Sequence, residues 1–323
     1  MNYAIVLRLL SYILLTEGAL LLLPAAASLC YGEWFVMGVF LFTAALSAAL
    51  GALLHRIKTK SQIFYMREGF ATTALCWLLI SVVGAVPFVL TGCIPNPVDA
   101  LFETVSGFTT TGASILPGVE DLPKGILFWR SFTHWVGGMG VLVFLLAVVP
   151  VSGAGGGFTM HLLRAESPGP NVGKLVPRMK KTASILYLLY ILLTVANIIF
   201  LLAGGMPLFD AVCTAMGTAG TGGFGIKNDS IAGYSPYIQN VCTVFMLLFG
   251  VNFTCYYLLL LRQFKSVFKD EELRMYLGIF FCSIVLIVWN LKGYYATLGE
   301  TVRYAAFQVA SIVTSTGFAT ADF

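Results

Sequence analysis

Seven long apolar stretches divide this chain, and they constrain its fold more than any other feature. They run roughly over residues 4–29, 34–54, 70–92, 125–151, 183–204, 237–261 and 273–291. A helix needs about 20 apolar residues to cross the hydrocarbon core of a bilayer, so each stretch predicts a transmembrane helix. Three shorter apolar runs, near 98–108, 208–219 and 303–313, favour re-entrant or half-spanning helices.

The composition supports a chain that is solvated mainly by lipid. Of its 323 residues, 58% are hydrophobic and 11% are charged, whereas soluble domains carry about 25% charged residues. We therefore predict an all-α polytopic membrane protein. A disordered chain, a disulfide-stapled secreted module and a nucleic-acid-binding protein are excluded, the last because the net charge is a modest +4.

The sequence contains no candidate catalytic constellation, and we expect that the protein is not an enzyme and needs no cofactor. Its seven cysteines occur singly and are interpreted as small packing residues. The glycine-rich segment 152–157 lacks the strand and the Lys-Ser/Thr of a phosphate-binding loop, and it predicts a flexible linker.

Lysine and arginine are concentrated on one side of the predicted spans. They cluster in segments 55–67, 164–181 and 262–274, and the alternate loops hold few. The positive-inside rule makes these segments and the N-terminus cytoplasmic in a multi-pass protein. We expect that protein in the inner (plasma) membrane. The three short apolar runs then lie on the external side.

Each short apolar run ends in a loop of Thr, Ser and Gly, so that the three form a repeat. In register, a small residue lies six positions before Gly112, Gly223 and Gly317. In the second loop Gly222 also fits a Thr-Gly-Gly match, but the helix register favours Gly223. The candidate loop residues are Thr109, Thr110, Thr111, Gly112, Gly220, Thr221, Gly222, Gly223, Thr314, Ser315, Thr316 and Gly317.

A short helix followed by such a loop is typical of a cation selectivity filter. Backbone carbonyls can replace the hydration oxygens of a cation if the loop is held extended around an axis. Glycine permits the backbone angles required, Thr hydroxyls add oxygens and stiffen the loop, and the helix C-terminus favours a cation. Small residues are also common at ordinary transmembrane contacts, but three copies in register, all external, favour a filter.

These residues resemble the Trk, Ktr and HKT superfamily of K+ transporters and channels, and most closely its bacterial Trk-type uptake subunits. The resemblance spans nearly the whole chain. Its motifs are residues 102–112, 129–131 with 135–140, 221–224 with 228–230, and 315–322.

The resemblance implies repeated units of helix, pore helix, filter loop and helix around a pseudo-fourfold pore, after two N-terminal helices. The implied division is 1–60 as an N-terminal hairpin, 61–155 as the first pore unit, 156–180 as a cytoplasmic linker, 181–265 as the second unit and 266–323 as the third. The third unit is expected to be incomplete and the fourth absent, as in a C-terminally truncated chain, and we expect these 323 residues alone not to conduct.

The resemblance also implies function and partners. Gly112 implies K+ as the transported ion, since relatives that favour Na+ carry Ser there. A homodimer, a cytosolic ring of nucleotide-binding regulatory domains and lipid contact are implied, with the basic loops as docking or head-group surfaces. A cation/proton symporter and a non-conducting regulatory membrane subunit stay open as alternatives.

Several charged groups fall at membrane depth, where ionisable residues are functional candidates. Asp99 and Asp210 are expected to cap the pore helices, and Glu103 to pair with a cation such as Arg130. His134 is expected to be a packed, hydrogen-bonded residue. No role is evident for Glu17.

Overall fold

In the computed structural model, residues 2–57, 66–140 and 179–321 are described. The regular elements in these ranges are all helices, which confirms the all-α class for this part of the chain. They are α1 (Tyr3–Leu20), α2 (Leu22–Cys30), α3 (Trp34–His55), α4 (Met66–Leu90), α5 (Pro97–Phe108), α6 (Lys124–Gly138), α7 (Met179–Ala203), α8 (Leu208–Ala219), α9 (Pro236–Gly250), α10 (Phe253–Leu260), α11 (Phe264–Lys269), α12 (Glu271–Asn290) and α13 (Leu298–Val313).

Five predicted spans correspond to helices that are long and apolar enough to cross a membrane. These are Tyr3–Cys30, Trp34–His55, Arg67–Leu90, Ser184–Ala203 and Glu271–Asn290. The predicted stretch 125–151 begins as α6, but its part beyond residue 140 lies outside the described residues, as does segment 152–157. The described helices are those of a multi-pass membrane protein.

The stretch 237–261, predicted as one continuous span, is broken. Its two halves, α9 and α10, are bent by 85° relative to each other. Val251 is extended, and the side chain of Asn252 accepts a hydrogen bond from the backbone N–H of Thr254 to begin α10. The break frees carbonyl groups of α9, and tyrosine hydroxyls replace the lost donors: Tyr276 bonds Leu247 at 3.0 Å and Tyr256 bonds Leu248 at 2.6 Å.

The chain divides into two compact modules. The N-terminal module comprises Met1–Thr109, Ala113–Ile115 and Asp121–Tyr187, and the C-terminal module comprises Thr110–Gly112, Leu116–Glu120 and Leu188–Phe323. The candidate filter residues 110–112, 220–223 and 314–317 therefore all belong to the C-terminal module, whereas Thr109 is the last residue of the first segment of the N-terminal module.

In the N-terminal module, small residues bring α1 and α3 into close contact. A Cβ at Gly18 would lie 3.0 Å from the carbonyl oxygen of Ala44, and one at Gly51 the same distance from that of Ser11. The hydroxyl of Ser47 donates to the carbonyl of Leu14 at 2.8 Å. Helices pack this way in lipid, where close backbone approach and interhelical hydrogen bonds supply the association energy.

This hairpin also holds the start of α6, which has no side-chain cap of its own. The carboxylate of Glu33 accepts hydrogen bonds from the backbone N–H groups of Lys124 at 2.6 Å and Gly125 at 3.0 Å. A carboxylate at this place satisfies unpaired donors and complements the helix dipole.

Helix α5 is fitted against α4 at a single glycine. A Cβ on Gly84 would lie 2.8 Å from Thr104, 3.0 Å from Phe108 and 3.2 Å from Trp129. The indole N–H of Trp129 donates to the carbonyl of Gly84 at 3.0 Å. These contacts fix the last turn of α5 and leave no room for a residue larger than glycine at position 84.

In the C-terminal module, α13 packs against α9 and α12, and aromatic rings join α7 to α9. The rings of Tyr190 and Phe249 lie 5.7 Å apart, and those of Phe200 and Phe245 lie 5.8 Å apart. Gly250, at the end of α9, admits a close approach of Thr314, to which a Cβ would lie 2.8 Å. The helix that precedes the third loop therefore rests on the broken span.

Candidate ion-selectivity site

Three helices, α5, α8 and α13, run into the three candidate filter loops, and we refer to them as the candidate pore helices. They end in register: their C-terminal cap residues are Thr109, Gly220 and Thr314, each three positions before the loop glycine. Helices α5 and α8 have 12 residues and α13 has 16, since α13 begins one turn earlier, at Leu298. The predicted start near 303 was therefore too late for the third helix.

The loop backbone repeats the same unusual conformation three times. Thr110, Thr221 and Ser315 have positive φ angles of 54°, 52° and 54°. Two residues later, Gly112, Gly223 and Gly317 have φ angles of 76°, 72° and 83°. Non-glycine residues rarely adopt positive φ, so its recurrence at equivalent positions establishes the register of the repeat.

This conformation also resolves the second loop. Gly223 has a positive φ angle and Gly222 is not among the glycines that do. Gly223 is thus the counterpart of Gly112 and Gly317, as the helix register predicted.

Loop N–H groups are tied back to the candidate pore helices. The amides of Gly222 and Gly223 donate to the carbonyl of Gly217, at 3.1 and 3.5 Å, and those of Thr316 and Gly317 donate to Ser311, at 2.8 and 3.4 Å. In a trans peptide the C=O points opposite to the N–H. Successive carbonyl groups in the second and third loops are consequently directed away from their helices. They are the carbonyl groups of Thr221 and Gly222 and those of Ser315 and Thr316.

The three loops lie against one another in chain order. A Cβ on Gly112 would collide with the carbonyl oxygen of Gly222, and a Cβ on Gly223 would collide with that of Thr316. A Cβ on Gly317 would have no neighbouring atom of the described residues within 4 Å. Glycine at 112 and 223 is required both by its backbone angle and by the carbonyl of the next loop.

Threonine hydroxyls at the loops make hydrogen bonds to the ends of the candidate pore helices and to one another. Thr109 donates to the carbonyl of Val105 and Thr314 to that of Ala310, each at 2.7 Å, so both close the last turn of a helix. The hydroxyls of Thr314 and Thr316 lie 2.8 Å apart. Thr111 is exposed, whereas Gly220, Gly222, Thr314 and Thr316 are buried.

The predicted pairing of Glu103 with Arg130 is confirmed. The guanidinium Nε lies 2.8 Å from the Glu103 carboxylate, and both side chains are almost completely buried. The same carboxylate accepts hydrogen bonds from the hydroxyl of Ser114 and the backbone N–H of Ile115. This network attaches residues 114 and 115, just after the first loop, to the middle of α5.

The expectation that Asp99 and Asp210 cap their helices was wrong. The side chain of Asn96 caps α5, and α8 begins after Pro207 without a side-chain cap. Both aspartates lie in the first turn, where a carboxylate still complements the helix dipole, and Glu300 lies in the first turn of α13. Asp210 accepts a hydrogen bond from the hydroxyl of Tyr234 at 2.8 Å.

Tyr234 lies in the loop between α8 and α9, and its environment favours the neutral phenol. Partial burial, the hydrogen bond to Asp210 and the carboxylates of Asp210 and Asp229 raise the pKa of Tyr234 above its ordinary value. The ammonium group of Lys227 lies 4.0 Å from the centre of the same ring.

His134 and Glu17 are both buried. His134 is fully inaccessible within α6, as expected for a packed histidine. Glu17 is 4% exposed, and its carboxylate oxygens have no hydrogen-bond partner among the described residues.

Sequence reasoning missed the contacts between the segments that follow the loops. The side chain of Asn228 accepts from the backbone N–H of Val119 at 2.8 Å, and the hydroxyl of Ser230 accepts from that of Ala319 at 3.2 Å. The family resemblance includes residues 228–230, but it assigns no contact to them. Nothing in their spacing indicated these partners, which lie 109 residues from Asn228 and 89 residues from Ser230 along the chain.

The long apolar helices and the three repeated helix–loop units place the chain in the class of multi-pass membrane proteins. Residues 36–323 match the family model described as TrkH, cation transport protein. The chain is 36% identical to the Trk system potassium uptake protein TrkH of Escherichia coli strain K12 over 99% of its length, and 35% identical to TrkH of Halomonas elongata over 100%. The crystal structure of the potassium transporter TrkH from Vibrio parahaemolyticus superposes with a TM-score of 0.81 at 30% identity, covering 99% of this chain.

The chain belongs to the TrkH family of cation transport proteins. It spans about two thirds of the length of these relatives: 67% of each of the two TrkH sequences and 66% of the crystallised chain.

Proposed function

We propose that this protein takes part in potassium uptake across the cytoplasmic membrane, through a filter lined by backbone carbonyls of residues 109–112, 220–223 and 314–317. The observation that carries this proposal is the backbone repeat at Thr110/Gly112, Thr221/Gly223 and Ser315/Gly317. The similarity to proteins named for potassium uptake supports K+ as the transported ion.

The loop geometry suits the removal of water from a cation. Where N–H groups are bonded back to Gly217 and Ser311, the opposing carbonyl groups are presented together. Fixed carbonyl oxygens can replace the hydration shell of K+. The C-terminal ends of α8 and α13 add partial negative charge beside the same loops.

The loop glycines, Gly112, Gly223 and Gly317, have two roles in this mechanism. It accepts the positive φ angle, and at Gly112 and Gly223 it leaves room for the carbonyl oxygen of the neighbouring loop. A side chain there would displace an oxygen that contacts the ion.

Complementation of a K+ uptake-deficient bacterial strain tests the proposal. The natural coding sequence that contains these 323 residues should restore growth at low K+, and Gly112→Arg or Gly317→Arg should abolish it. Asn290→Arg adds the same side chain at an exposed position at the end of α12 and should restore growth. Growth with both glycine variants would overturn the filter assignment.

The same strain separates the alternative functions. A cation/proton symporter would show uptake that follows the proton gradient at constant membrane potential, whereas a filter pore would follow the K+ gradient and the potential. A regulatory membrane subunit would alter the K+ uptake of another protein and would be insensitive to Gly112→Arg.

We further propose a non-catalytic role in the inner membrane with a cytoplasmic N-terminus, assembly as a homodimer and regulation by a cytosolic nucleotide-binding ring. Of the basic segments proposed for docking, 55–67, 164–181 and 262–274, the third is described, whereas residues 58–65 and 164–178 of the first two lie outside the described residues.

A membrane-impermeant thiol reagent should label Asn290→Cys in intact cells and should not label Arg56→Cys above the unmodified protein. Cross-linking at native expression levels tests the dimer.

A further inference from the structure

The segment that follows the second candidate filter loop contacts the segments that follow the other two. On one side it meets residues 118–120. The backbone N–H of Val119 donates to the side-chain oxygen of Asn228 at 2.8 Å, and the backbone N–H of Asn228 donates to the carboxylate of Glu120 at 3.0 Å. A Cβ on Gly118 would lie 3.5 Å from the same Asn228 oxygen. The two hydrogen bonds are reciprocal, so they fix both the distance and the orientation of the two segments.

On the other side, the same segment meets the residue that comes shortly after the third loop. The backbone N–H of Ile231 donates to the carbonyl of Ala319 at 3.1 Å, and the backbone N–H of Ala319 donates to the hydroxyl of Ser230 at 3.2 Å. Ser230 has a φ angle of 56°, an uncommon conformation for serine. Both polar groups of Ala319 are thus bonded to residues 230 and 231.

These contacts lie close to the loop glycines. Val119 follows Gly112 by seven residues, Asn228 follows Gly223 by five, and Ala319 follows Gly317 by two. All of these residues belong to the C-terminal module. Residues 228–231 therefore connect the outgoing ends of all three loops.

We propose that residues 228–231 form a brace that sets the spacing of the three loops and thereby the discrimination between K+ and Na+. This inference rests on the proposed function. Asn228 and Ser230 act as positioning residues, because their side chains meet backbone groups of the other segments and need not contact the ion. Discrimination between ions of equal charge depends on how the coordinating oxygens are held, so loosening the brace should affect selectivity first.

Two variants in the natural full-length protein test the brace. Asn228→Ala removes the acceptor for Val119, and Ser230→Gly removes the acceptor for Ala319 while allowing the positive φ angle. Each should lower the K+/Na+ flux ratio of purified protein in liposomes by about two- to tenfold, as expected for one net hydrogen bond. The apparent KM for K+ should rise, with the amount of folded protein unchanged.

A conservative variant and a matched control sharpen the result. Asn228→Asp keeps the acceptor but sets a second carboxylate beside Glu120, and adding Glu120→Gln removes that repulsion. The double variant should therefore retain more discrimination than Asn228→Asp alone. Asn290→Ala makes the same change as Asn228→Ala at an exposed helix end and should leave the flux ratio unchanged.

The outcomes are distinct. If Asn228→Ala and Ser230→Gly lower only the protein yield or the maximal rate, with unchanged KM and flux ratio, the brace is a folding element and the inference is wrong. If the unsubstituted protein shows no K+ preference, the proposed function itself fails, and the brace has no selectivity to set.

Discussion

The first and second candidate pore helices are anchored by different chemistry. At α5 the anchor is a buried ion pair, in which Glu103 meets Arg130 and also accepts from Ser114 and the backbone N–H of Ile115. At α8 the anchor is a half-buried hydrogen bond at the first turn, from the hydroxyl of Tyr234 to Asp210. In the register of the loop glycines, the α8 counterpart of Glu103 is the buried Thr214.

The two helices nevertheless have the same length and are followed by loops of the same backbone conformation. The loop geometry therefore does not depend on one kind of anchor. The two anchors should differ in how much they contribute to stability, because an unpaired charge is costly in a buried site and cheap near solvent.

The largest effect is expected from breaking the buried pair. Arg130→Met leaves the Glu103 carboxylate buried without its cation and should destabilise the protein by about 3–5 kcal/mol. Thermal unfolding in detergent micelles, with the yield of folded protein, measures it. The double variant Glu103→Gln/Arg130→Met leaves no net charge and should recover a large part of the loss; equal destabilisation of the single and double variants would contradict the ion-pair account.

A smaller effect is expected at the second anchor. Tyr234→Phe removes one hydrogen bond to a partly solvated carboxylate and should cost about 1 kcal/mol. Thermal unfolding of the two proteins at neutral pH measures the difference. A loss as large as that of Arg130→Met would remove the contrast between the two anchors.

The second anchor should also respond to alkaline pH. Because folding raises the pKa of Tyr234, its contribution to stability is fully present below the unfolded tyrosine pKa of about 10 and is lost as pH rises toward the folded pKa. Unfolding temperatures of the wild type and Tyr234→Phe should converge above pH 10. A constant difference from pH 7 to pH 11 would show that the hydroxyl does not titrate as described.

The smallest effect is expected from the cation above the tyrosine ring. Lys227→Met removes a partly exposed cation–π contact and should cost about 0.5 kcal/mol. Because phenylalanine keeps the ring, the cost should be similar in the Tyr234→Phe background. A much larger cost in either background would assign Lys227 a partner other than the ring.

Much of the candidate site was predictable because it repeats. Three loops with glycine at a fixed distance from a small helical residue indicated the helices, the loops and the choice of Gly223, and the backbone angles agree. The pairing of Glu103 with Arg130 was predictable because a charge at membrane depth needs a partner.

Other features could not be read from composition or spacing. The break after Gly250 falls inside an apolar stretch of sufficient length, and nothing in that stretch indicates that hydroxyls of Tyr256 and Tyr276 bond the carbonyl groups that the break frees. Asp99 was assigned the role of a helix cap, although Asn96, followed by Pro97 at the first helical position, fits that role better. The brace depends on hydrogen bonds between segments far apart in sequence, and no pattern in a single sequence indicates such bonds.

The register of the second loop is the most direct test of the filter. Gly223 has a positive φ angle, and a Cβ there would collide with the carbonyl oxygen of Thr316. Gly222 is not among the glycines with a positive φ angle. Flux of K+ and Na+ through reconstituted Gly223→Ala and Gly222→Ala full-length protein measures the difference. We expect Gly223→Ala to lose K+ flux and selectivity far more than Gly222→Ala; equal losses, or a greater loss at Gly222, would contradict the filter assignment.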